Sequence, residues 1–115
     1  GGTIDYDRRS RDVRLENDRD YALAKIEAIC TALSGLTAAD VARKIDVRAE
    51  LASDEASPSS AGRELQFLIS HTIHHYALIA TMLKLRGFDV ASELPDFGVA
   101  PSTLAHWAAG RPTAG

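Results

Sequence analysis

One cysteine, Cys30, occurs in 115 residues, so no intrachain disulfide can form. It sits inside a helical apolar pattern, "KIEAICTAL", and reads as a small buried hydrophobe rather than a reactive thiol. No apolar run approaches the ~20 residues that a membrane-spanning helix needs. Nothing at the start resembles a signal peptide, and a cytoplasmic location is the expectation. Charge of one sign is also missing: 13 Lys and Arg stand against 16 Asp and Glu, a net of −3. A dedicated nucleic-acid binder normally carries a concentrated basic surface, so that class is disfavoured. Methionine and tryptophan occur once each, and there is no initiator Met. The opening "GGTIDYDRRSRDVRLENDRD" is charged and turn-like and reads as an N-terminal truncation.

What is present is helical pattern in a chain of single-domain length. Residues 1–17 form a charged lead-in of mixed sign, expected to be solvated. Over 18–35, Leu23, Ile26, Ile29 or Cys30, and Leu33 recur at steps of three and four, which mark one helix face. Asn17 or Asp18 can cap it, and Gly35 can end it in the left-handed conformation. A short helical turn is expected near Ala39–Lys44. Then Ile45, Val47, Ala49 and Leu51 alternate with charged residues. Period two predicts an extended connector, here expected as a strip laid on helices because no partner strand is evident. Pro58 marks a turn, and Ser59 or Ser60 can cap a helix over 60–86 that Gly87 stops. The tail, 87–115, reads as irregular with one short helix from Pro101 through Trp107 and a frayed end.

The helix over 60–86 poses the chemical question. In "RELQFLISHTIHHYALIATMLKLRG" the residues Leu68, His71, His75, Leu78, Met82 and Leu85 form one seam. Met82 is core filler there, Tyr76 a core ring with its hydroxyl at the edge, and Trp107 a cover for one end of the core. His71 and His75 are thus placed in the buried stripe, and burying unpartnered imidazoles costs a few kcal/mol each. Histidines at i and i+4 can aim nitrogens at one metal ion. Two other readings stay open: a hydrogen-bonded structural cluster, and an acid–base or pH-sensitive site. Two ligands alone do not make a tight catalytic site, which wants three and an open position.

The stretch "SSAGRELQFLISHTIHHYALIATMLKLRGFDV", followed by "DFGVAPSTL", resembles the DinB-like (damage-inducible, YfiT-like) superfamily of bacterial metalloproteins. "IDYDRRSRDVRLENDRDYA" resembles the part that precedes the third helix in one of its branches. The resemblance implies an all-α fold: the C-terminal part of a four-helix bundle, with two long helices, an extended connector and a short C-terminal helix. It implies a divalent ion, Zn or Ni, held by a histidine triad. His71 and His75 match two of the three ligands. His74 is not one of them, and the third lies upstream of everything present here. His106 is the remaining histidine outside the cluster, with no argument for reaching the ion.

On that resemblance the expected function is a metal-dependent enzyme, either a thiol-dependent transferase or isomerase or a hydrolase. The ion would act as a Lewis acid on a bound thiol or water. A low-molecular-weight thiol or other small molecule would be its substrate. His74 or Tyr76 would supply an outer hydrogen bond. Glu64, two turns before His71, is too far for the ion and reads as a helix-dipole carboxylate. Arg63 pairs with solvent or an acid. The rival reading is a non-enzymatic stress-response or helical interaction scaffold with a structural or degenerate metal site. An uncovered apolar seam further predicts a homo-oligomer, most simply a dimer.

Overall fold

The computed structural model describes residues 2–48 and 55–110. The chain divides into two compact units, Gly1–Glu64 and Leu65–Gly115, with one long helix running through the division.

The first unit is built on a sheet. Strand β1 (Thr3–Asp5) lies parallel to β2 (Lys44–Arg48), and β3 (Ser57–Ser60) lies antiparallel to β2 on its other side. Thr3 stands opposite Asp46, and Ile45 opposite Ser59. Ile45 is the buried residue of the centre strand, 7% exposed. Pro58 is placed on the edge strand β3, where its missing N–H breaks no pairing at the centre of the sheet. Between β1 and β2 come α1 (Arg14–Asn17), α2 (Arg19–Ser34) and α3 (Ala38–Ala42). Asp18 caps α2 by accepting from the Tyr21 N–H at 3.0 Å. Thr37 and Asp40 cap α3 reciprocally: the Asp40 N–H donates to Thr37 Oγ1, and the Thr37 N–H donates to Asp40 Oδ2 at 2.8 Å. Arg14 lies over the Tyr21 ring at 4.0 Å, and Tyr21 donates its hydroxyl to Asp12.

In the second unit, helix α4 (Ala61–Leu85), which begins in the first, is followed by α5 (Val90–Glu93) and α6 (Pro101–Gly110). Helix α4 ends at Gly87, φ 84°, whose N–H donates to the Lys84 carbonyl while Phe88 N–H reaches back to Leu83 at 3.0 Å. That pair of bonds satisfies carbonyls the last turn would leave open. Among the described residues of this unit, Ala80 and Val90 are the buried ones. The loop before α6 lies against α4. Gly98 takes φ 80°, and a Cβ there would stand 2.9 Å from the Ala77 Cα. Phe97 stacks on Tyr76 with ring centroids 4.8 Å apart.

Several expectations are corrected by this architecture. The fold is not an all-α part of a four-helix bundle: the described residues form six helices with a three-stranded mixed sheet. The extended connector is the centre strand of that sheet, not a strip laid on helices; Ala49 and Leu51 of the alternating pattern lie outside the described residues. The charged lead-in contains β1 and α1, and the turn around Pro58 contains β3. The reason is that ladder pairing uses backbone groups that any sequence supplies. Gly35 ends α2 in the right-handed region, φ −88°, rather than the left-handed one. Cys30 is exposed, as are Leu23, Ile26, Ile29 and Leu33 on the same helix.

Candidate functional site

Helix α4 is fixed at its start by Ser60, whose Oγ accepts from the Arg63 N–H at 3.2 Å. Three turns on, it carries His71, His74 and His75. One helical turn separates His71 from His75, so their rings meet. Their Nε2 atoms lie 3.0 Å apart and their ring centroids 4.5 Å apart, at 73° to each other. In the neutral pair one Nε2 carries the proton and the other accepts it. Phe67 stacks below His71 at 5.7 Å, which holds that ring in its plane. His74 meets His75 edge to face, with ring centroids 5.8 Å apart.

All three rings are exposed, so His71 and His75 are not buried as the seam predicts. The apolar stripe around them is open too: Leu68 is 45% exposed, Leu78 49% and Met82 57%. Apolar side chains at steps of three and four are buried only where another element covers them. Here they are not, so the desolvation cost that would demand a ligand for the imidazoles falls away. Tyr76 is likewise exposed, its ring held by Phe97. Trp107 and His106 sit on the exposed surface of α6. Among the described residues no three His, Cys, Asp or Glu side chains come together as a metal-holding group. The histidine triad is therefore overturned, and what the fold brings together is a pair.

Sequence reasoning missed a second polar cluster. Tyr6, just past β1, donates its hydroxyl to Glu64 Oε2 at 2.6 Å. Ser59, on β3, donates to Glu64 Oε1 at 2.7 Å. Both carboxylate oxygens are thus occupied, so Glu64 is a clasp between the sheet and the first turn of α4. The two donated bonds, Tyr6's the larger, lower the Glu64 pKa against the opposing effect of burial. Burial and the facing carboxylate push the Tyr6 phenol up to about 12. The signal for this cluster was not local, because Tyr6 and Glu64 lie 58 positions apart.

Among the described residues no helix is long and apolar enough to cross a membrane. No family model matches the chain, and no solved structure matches it. A curated relative does. The chain is 34% identical over 107 residues to FK506-binding protein 5 of Rhizopus delemar, a match covering 90% of this chain. The chain spans about a quarter, 27%, of that protein's length. This finding overturns the DinB-like resemblance, with its damage-inducible, bacterial metalloenzyme and its stress-response scaffold alternative. The similar protein is fungal and is named for binding FK506.

Proposed function

We propose that the chain is a segment of a peptidyl-prolyl isomerase-type protein of the FK506-binding kind. The observation that carries this reading is the 34% identity over 107 residues to FK506-binding protein 5. The reaction would turn an X–Pro bond between cis and trans, a change that takes tens to hundreds of seconds unaided. The barrier is ~18–20 kcal/mol and comes from amide resonance. A protein lowers it by taking the prolyl amide out of water and holding it twisted, and no covalent step is required. On this chain the surface suited to a prolyl ring is the aromatic pair Tyr76 and Phe97, held in place by the close approach of Gly98 to Ala77. The same proposal places the chain in the cytoplasm, in keeping with a single unpaired cysteine.

The test is isomerisation of a proline-containing tetrapeptide, followed with and without FK506. It is run on this chain and on a longer protein carrying it. FK506-sensitive acceleration by either protein supports the reading. If both leave the uncatalysed rate unchanged, the reading fails. Loss of the chain's acceleration in Tyr76→Ala, with helicity intact, assigns the prolyl contact to that ring; unchanged acceleration removes it from the site.

A further inference from the structure

We propose that α4 is a self-association face on which two copies of the chain share one divalent metal ion, held by His71 and His75 of each. This goes beyond the isomerase reading and does not depend on it.

Three observations point the same way. The first is the bite of the pair. Two imidazole nitrogens on a tetrahedral ion at ~2.0–2.1 Å stand roughly 3.3 Å from each other. His71 and His75 already hold their Nε2 atoms 3.0 Å apart, so little rotation opens them around an ion. The second is incompleteness. Among the described residues nothing on the chain supplies a third or fourth ligand. An ion bound by one copy would keep two positions for a second. The third is symmetry. Helix α4 has 25 residues, Ala61–Leu85, and Ile73 is the middle one. His71 and His75 lie two residues to either side of it, and Leu68 and Leu78 five to either side.

An antiparallel pair of α4 helices with its two-fold axis at the level of Ile73 therefore does three things at once. It overlaps the two helices across the stretch Leu68–Leu78, clear of the first turn that Glu64 ties to its own sheet. It sets His71 of one copy level with His75 of the other, so four nitrogens converge. It sets Leu68 against Leu78 above and below them, closing apolar side chains that are 45% and 49% exposed in the single chain. The steps of three, four and three from Leu68 to Leu78 are those of a helix-pairing seam. Such a two-fold interface is self-complementary by construction. Four neutral imidazoles suit zinc, and also cobalt, nickel or copper. Binding needs both Nε2 lone pairs, so the ring whose Nε2 carries the proton in the neutral pair takes the tautomer with that proton on Nδ1.

The experiment measures molar mass by sedimentation equilibrium, and bound metal by mass spectrometry, on the whole chain titrated with zinc sulfate alone. The expected result is a dimer strengthened at least roughly tenfold by zinc, with one ion for every two chains. Cobalt should give the intense visible absorption of a tetrahedral nitrogen site. His71→Ala and His75→Ala should each abolish the zinc effect, while His74→Ala keeps it. Circular dichroism on each variant checks that α4 is retained. Leu78→Glu, which leaves every imidazole in place, should weaken the zinc-bound dimer as well. One ion per single chain, no bound ion, or a dimer indifferent to zinc would each overturn the proposal. None of these readouts depends on isomerase activity.

Discussion

Glu64 and Gly98 are the two residues whose surroundings make the sharpest demands. Glu64 has a depressed pKa, so its contribution is present above the ordinary carboxylate range and is lost as pH falls through the lowered folded value. Tyr6 is raised from 10.0 to about 12, so its contribution is intact below pH 10 and is lost as pH climbs through 12. An alkaline titration of tyrosine absorbance should show one phenol ionising near 12. Glu64→Gln should bring that phenol down and destabilise the first unit by about 1–2 kcal/mol, since hydrogen bonds to a charged group are lost. Gly98→Ala combines a positive φ with a Cβ set 2.9 Å from a backbone atom. Backbone cannot yield as a flexible side chain does, so a loss of about 2–4 kcal/mol is expected in thermal denaturation. The Phe97–Tyr76 stack should loosen with it.

At the scale of elements, the caps decide which short helices exist. Helix α3 has five residues, too few to stand on propensity alone, and its reciprocal Thr37–Asp40 cap defines it. Thr37→Ala should cost about 1 kcal/mol by urea denaturation and raise amide exchange across Ala38–Ala42. The long helices were legible because their apolar steps of three and four and their end signals agree, as at Asp18 and Gly87. The strands were not. β1 is three residues among charges, and β3 is "SPSS", which carries turn residues and weak strand propensity. Each becomes a strand through pairing with β2, which no local window contains. The site divides the same way. The His71–His75 pair follows from helical spacing, whereas its exposure depends on which elements cover α4. The Tyr6–Glu64–Ser59 cluster depends on long-range pairing and had no local signature.

For the molecule as a whole, the decisive feature is how little is enclosed. Among the described residues the buried apolar side chains are Ile45, Ala80 and Val90, while Leu, Ile, Phe and Tyr residues line open surfaces on α2 and α4. Burial of large apolar side chains is the main favourable term in folding, so the single chain is expected to be marginal. Metal-free protein should therefore bind an apolar fluorescent dye strongly and unfold in urea with a shallow transition. Zinc should displace the dye from the native chain and leave it bound to His71→Ala. A dye signal indifferent to zinc would mean that α4 stays uncovered.

The parallel pairing of β1 with β2 has a consequence for the order in which the molecule is made. Thr3 waits for Asp46, and Tyr6 for Glu64, 58 positions later. At ordinary rates of synthesis the stretch from Thr3 to Asp46 takes roughly 2–9 s. Throughout it β1 is an unpaired edge, of the kind that seeks strands on other chains. Asp5 at its end and Asp7, Arg8 and Arg9 just after it put charge of both signs there. The charged stretch after β1 thus guards a strand whose partner has not yet been translated.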